Sequence, residues 1–276
     1  MSASLSSHSY SQVVGVLRAA GCVYAEEEAR LLLDAATDEA DLSDMVRRRA
    51  AGQPIEHVVG WAEFCGLRIA VDPGVFVPRR RSEFLIRQAA RLPRLAPVPA
   101  VVDLCCGTGA LGVALAATVG PVELHATDVD PAAVRCARRN VATVGGRVYQ
   151  GDLFGPLPAT LRGSVAILLA NVPYVPTGEV GLLPPEARDH EARQALDGGP
   201  DGLDVLRRVT TGAADWLAPG GRLLFEASDR QVAAAAAAVT GAGLIPQVAR
   251  CPDLAATVII AACPEHRPGF ASLRRA

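Results

Sequence analysis

The sequence predicts an α/β fold, a parallel sheet flanked by helices, with a small helical unit in front of it. Three observations predict this. After Pro97-Val98-Pro99, short apolar runs alternate with helix-patterned segments at the spacing of strand-helix-strand units. Before residue 53 the apolar positions recur at helical intervals. The run Val165-Ala166-Ile167-Leu168-Leu169-Ala170 is apolar without alternation, as a buried strand reads.

In chain order, Val13, Val14 and Leu17, then Ala29, Leu31, Leu32 and Leu33, then Leu42, Met45 and Val46 mark three helical segments within residues 11–52. Residues 58–71 alternate, punctuated by Gly60 and Gly66, and read as a β-hairpin closed by Pro73-Gly74. Strands are expected at residues 100–106, 122–128, 147–153, 165–170, 221–227 and 257–262, and helices at 110–118, 131–142, 203–217 and 231–240. Residues 175–202 are rich in Pro, Gly and acids and form a loop long enough to imply a function. These boundaries divide the chain into a helical docking domain (1–56), a hairpin linker (57–75) and an α/β domain (76–276).

The 276 residues suffice for such an arrangement, and 50% hydrophobic with 20% charged residues is the composition of a soluble globular protein. The net charge of −2 gives no reason to expect nonspecific nucleic-acid binding. All 27 basic residues are arginine, and the triplets Arg47-Arg48-Arg49 and Arg79-Arg80-Arg81 read as solvated faces. Seven cysteines without CxxC pairs or zinc-type His spacing read as reduced thiols of a cytoplasmic protein and imply no metal site. No apolar run reaches membrane-spanning length, and residues 1–12 lack the pattern of an export signal.

The chemistry concentrates at strand ends. Asp103-Leu104-Cys105-Cys106-Gly107-Thr108-Gly109 puts glycines at a strand-to-helix junction, where a ligand can approach the backbone. Asp128 ends the next strand, placed to accept bonds from ribose hydroxyls, and Asp152, after the third, is placed for an adenine amino group. The G-x-G-x-x-G fingerprint is incomplete, because Gly112 stands off register and Asp103 precedes the turn. Those departures point away from NAD and towards S-adenosylmethionine, which has no pyrophosphate to bind. Asn171-Val172-Pro173-Tyr174 then ends the buried run, bringing an amide, a rigid turn and an aromatic ring to one place.

These residues resemble the class I methyltransferases that act on amide or amino nitrogens and carry Asn-Pro-Pro-Tyr. Within that group the chain is similar to the protein glutamine N5-methyltransferases of the HemK/PrmC type, which modify the Gly-Gly-Gln loop of peptide-chain release factors. The similarity extends to Phe76-Val77-Pro78-Arg79, Ser82-Glu83, His190-Glu191, Ala195-Leu196-Asp197-Gly198-Gly199 and Asp201-Gly202-Leu203. It implies a Rossmann-like methyltransferase sheet with a small N-terminal helical domain joined by a β-hairpin. It also implies an S-adenosyl-L-methionine site at Asp103, Cys105, Cys106, Gly107, Thr108, Gly109, Asp128, Val129, Asp152, Leu153 and Asn171, and catalysis by Asn171, Val172, Pro173 and Tyr174. The expected partner is a release factor, with no stable nucleic acid and no membrane, and the enzyme is expected to be a monomer in the cytoplasm.

An amide nitrogen is a poor nucleophile, so the site must orient it and stabilise the positive charge that forms on it. The Asn171 side-chain oxygen and the Val172 carbonyl would each accept one N–H, while Tyr174 stacks on the amide plane. Three departures carry expectations: Val172 for proline keeps activity with a slightly less rigid pocket or shifts the substrate, Cys105 for glycine leaves cofactor binding intact, and the missing proline after Glu191 makes the long loop more flexible. Two alternatives stand beside this reading, methylation of adenine N6 or guanine N2 in nucleic acid and a noncatalytic cofactor-binding module.

Overall fold

The computed structural model describes residues 7–265. Helices α1 (Ser7–Ala19), α2 (Ala25–Ala35), α3 (Glu39–Ala50) and α4 (Ile55–Val59) come first. Their apolar faces close a small core of their own around Val13, Leu17, Ala29, Leu32, Leu42, Met45 and Val58. The first three lie where the periodicity puts them; α4, at 5 residues, is too short to show a period. Strands β1 (Trp61–Phe64) and β2 (Leu67–Ala70) form the expected antiparallel hairpin, turning at Cys65-Gly66 with φ of +51° and +73°.

Then follow α5 (Glu83–Ala89), β3 (Ala100–Leu104), α6 (Ala110–Val119), β4 (Glu123–Asp128), α7 (Pro131–Ala142), β5 (Arg147–Gln150) and β6 (Val165–Ala170). The chain continues as α8 (Pro185–His190), α9 (Asp204–Trp216), β7 (Leu217–Glu226), α10 (Val232–Gly241), β8 (Ile245–Cys251) and β9 (Ala256–Ala262). Seven strands make one sheet in the order β5-β4-β3-β6-β7-β9-β8. Six strands point the same way and β9 runs opposite to them, antiparallel to β7 and β8. Strand order reverses about β3 and β6, which opens a crevice at their carboxyl ends. Every residue of β6 is buried, which explains its unbroken apolar run.

Two elements depart from the sequence reading. Strand β8 was not expected, because it is an edge strand with largely exposed side chains and Pro246 within it, so it lacks an apolar signature. The stretch 175–202 is not plain loop: it holds a 3₁₀ turn (Thr177–Leu182), α8 and a second 3₁₀ turn (Arg193–Ala195). Asn140 on α7 stitches the hairpin to the glycine loop. Its amide bonds both backbone groups of Ala70 at 2.9 Å and donates to the Thr108 carbonyl at 2.8 Å.

Candidate active site

The loops after β3, β4, β5 and β6 meet at one cavity of about 610 Å³. After β3, three alternate residues adopt the left-handed region: Cys105 (φ +53°), Gly107 (+55°) and Gly109 (+78°). That geometry curls the backbone of residues 105–108 around the cavity edge. Cys105 adopts it at the expense of steric strain that a glycine would not meet. Gly109 has a packing reason as well, since a Cβ there would lie 2.7 Å from Val141 on α7. Burial raises the Cys105 and Cys106 thiols well above their ordinary range, so both stay protonated.

Asp103 is fully buried and is not among the cavity-lining residues. One carboxyl oxygen accepts the Gly112 N–H at 2.9 Å, and the other has no partner. Burial pushes this carboxyl up to about 8, opposed by the Gly112 bond and reinforced by the Asp128 charge. Asp128 lies on the cavity wall, holding the loop through the Gly107 N–H at 2.8 Å and the Asp130 N–H at 2.9 Å, and burial raises it too. Asp152 lines the cavity but is exposed and pairs with Arg208. Val129, 54% exposed, and Leu153 present apolar side chains beside these two acids.

The tip after β6 brings Asn171, Val172, Pro173 and Tyr174 to the same cavity. The Val172 side chain is buried in the core with Leu104, Leu203 and Phe225, so packing replaces the rigidity that a proline would give. Neither the Asn171 side chain nor the Val172 carbonyl is engaged in a hydrogen bond among the described residues. Three backbone groups of the residues that follow Pro173 are engaged. The Tyr174 carbonyl accepts from Gln231 Nε2 at 2.9 Å, Val175 N–H donates to Leu196 at 3.0 Å, and the Val175 carbonyl accepts from Gly198 at 2.8 Å. Burial raises the Tyr174 phenol, as does the Glu226 charge, against the opposing pull of Arg81 and Arg79.

The sequence reading missed the far wall. Phe64, Val75, Phe76, Pro78 and Arg81 face the tip from the hairpin side, and Leu183, Glu186 and Gln194 close it from the stretch after the tip. The apolar run 75–78 was the available signal. The arginine triplets are only in part solvated faces: Arg47 and Arg80 are exposed, but Arg49, Arg79 and Arg81 are paired with carboxylates. Arg79 binds both oxygens of buried Glu191 at 2.7 Å, and Arg81 reaches Glu226 at 3.4 Å and the Tyr174 hydroxyl. Arg49 is buried on Glu28 and also meets Glu186 at 2.7 Å. The stretch after the tip is firmly tied where flexibility was expected: Glu191 anchors it, and the Ala192 N–H donates to Gly74 O at 3.1 Å, a bond that proline could not make.

The methyltransferase small domain family matches residues 66–239. A release factor glutamine methyltransferase of Geobacter sulfurreducens is 38% identical over 184 residues, 66% of this chain and 63% of that one, so the match spans a little under two thirds of that relative. The enzyme of the same name from Mycolicibacterium smegmatis is 40% identical, covering 76% of this chain and 74% of its own. A 4-amino-L-phenylalanine/4-methylamino-L-phenylalanine methyltransferase of Streptomyces pristinaespiralis is equally similar, 40% identical over 72% of this chain and 69% of its own. Among solved structures, the Thermus thermophilus 16S rRNA N2 G1207 methyltransferase in complex with AdoMet and guanosine superposes with a TM-score of 0.54 at 21% identity. That match covers 74% of this chain and 49% of the other, and shows a shared fold. By the family match this chain is a methyltransferase of the small-domain family, and by its relatives it belongs within that to the release factor glutamine methyltransferase family.

Proposed function

We propose that the protein transfers a methyl group from S-adenosyl-L-methionine to the side-chain amide nitrogen of a glutamine, in the Gly-Gly-Gln loop of a peptide-chain release factor. The observation that carries this reading is the pair of unengaged acceptors, the Asn171 side-chain oxygen and the Val172 carbonyl, on a cavity wall whose neighbouring backbone is tied down. Two acceptors side by side fit a planar NH2 group, which has two N–H donors. They turn its lone pair away from the wall and stabilise the charge that forms on nitrogen. Tyr174 packs against the amide plane and limits its rotation.

The cofactor site fits a cation carrying a nucleoside. Asp103 has an oxygen without a partner, and Asp103 and Asp128 are both pushed up by burial, so a positively charged ligand nearby relieves both. Asp128 is placed for ribose hydroxyls, and Val129 and Leu153 offer apolar surface to a base. When bound, the cofactor supplies an electrophilic methyl group on a sulfonium. The chain's own residues orient the acceptor and exclude water; no general base is needed before transfer, because the methylated nitrogen sheds its proton readily.

The arginines at the cavity are paired with carboxylates: Arg79 with Glu191, Arg81 with Glu226 and Arg208 with Asp152. That pairing supports a neutral protein acceptor over a nucleic-acid backbone. A monomer working in the cytoplasm is consistent with this substrate. A second reading is N-methylation of an aromatic amine on a free amino acid, favoured by the Streptomyces pristinaespiralis relative and by the same acceptor pair, which suits an aryl NH2 equally. The deciding experiment supplies labelled S-adenosylmethionine with a release factor, with the same factor carrying Ala for the loop Gln, and with 4-amino-L-phenylalanine. Label on the intact factor alone is expected. Label on the free amino acid alone selects the second reading, and label on neither removes both.

A further inference from the structure

Glu226 ends β7, the strand beside β6, and its carboxylate is buried close to the catalytic tip. One of its oxygens has no hydrogen-bond partner, and the other lies 3.4 Å from Arg81 Nε. Burial raises this carboxylate, and the buried Ser82 side chain and Arg81 oppose that rise. A buried carboxylate so sparsely satisfied costs folding free energy, and an apolar residue would fill the strand end without that cost. Arg81 is half exposed, lines the cavity, donates to the Tyr174 hydroxyl, and holds its guanidinium carbon 5.7 Å from the centre of the Tyr174 ring. An arginine held at one end by a fixed carboxylate has few rotamers left, so it can fix the ring it touches.

We propose that Glu226 is a positioning residue for methyl transfer: through Arg81 it fixes the Tyr174 ring in the orientation that the acceptor amide packs against. This rests on the reading of Tyr174 given above. Glu226 also balances the Arg81 charge, so that no net positive charge stands where the acceptor nitrogen becomes positive.

The test uses the full chain with Glu226→Gln, Arg81→Met and the double variant. Each single change is expected to lower kcat on the release factor about tenfold, with cofactor Kd unchanged, and the double variant is expected to lose no more than either single. A second readout follows phenol ionisation by ultraviolet difference spectra, with Tyr174 assigned by Tyr174→Phe. The charged groups facing that phenol are Arg79, Arg81 and Glu226. Its titration is expected to move down in Glu226→Gln and up in Arg81→Met, opposite directions that loosened packing alone does not produce. Wild-type kcat in Arg81→Met overturns the proposal, as do additive losses in the double variant or a phenol titration unmoved in both singles. Arg81, being half exposed, keeps the test decisive if Glu226→Gln fails to fold. If the wild-type protein labels no release factor, the functional reading fails instead, and the phenol titration still decides the Glu226 relay.

Discussion

Asn171 brings to the cavity a side-chain acceptor that is unengaged among the described residues. Asn171→Ala is expected to lower kcat by about 10²–10³ while changing cofactor affinity far less, as loss of one transition-state contact does; equilibrium binding set against single-turnover rates checks it. Cys105 sits at φ +53°, where a side chain is strained. Cys105→Gly should therefore keep cofactor affinity and raise stability by about 1 kcal/mol, read from urea melts. Asp103 carries a pH signature. Its carboxyl titrates near 8 in the folded protein and near 4 in the unfolded chain, so the unfolded chain gives up its proton first. Stability is then fully present below about pH 4 and is lost as pH rises towards about 8. Thermal melts of Asp103→Asn without cofactor should fall less than those of the wild type across that window, and parallel curves would remove Asp103 as the cause.

At the scale of elements, the tip after β6 is held from behind by the glycine run 198–202. A Cβ on Gly202 would lie 2.2 Å from the Tyr174 carbonyl and 2.5 Å from Gln231 Nε2, and Gly202 has φ +76°. Gly202→Ala should cost more than about 1 kcal/mol and displace the tip, so kcat should fall further than the melting point alone explains. Activity retained in full at a temperature where the variant is folded would show that the tip does not depend on this support. The glycines entered the functional reading of the sequence only through the family resemblance, and Gln231 not at all, because their role is steric and lies far along the chain. Gln231 stands 57 residues from Tyr174 and beside a Ser228 capping box, which accounts locally for its presence.

For the whole molecule, Arg49 joins the helical unit to the cavity wall, buried on Glu28 in its own unit and reaching Glu186 on α8. Removing one partner of a buried pair leaves the other charge uncompensated, so Arg49→Met should destabilise the helical unit by about 3–5 kcal/mol, measured by urea melts. The sequence by itself determined the α/β class, the three longer helices of the first unit, and the four strand-end segments that reach the cavity, because periodicity and strand-end chemistry are local properties. It also singled out the Asn171 to Tyr174 segment, which the structure brings to the cavity wall. Only the tertiary structure decided that Asp103 lies behind the wall, that Arg49, Arg79 and Arg81 pair with Glu28, Glu191 and Glu226, and that Ala192 secures the stretch 175–202. Each of those facts depends on a partner 21 to 145 positions away for the arginines, or on which side of a sheet a carboxylate faces. Charge pairing and burial between distant segments leave no periodic trace in the chain, so they exist only once it has folded.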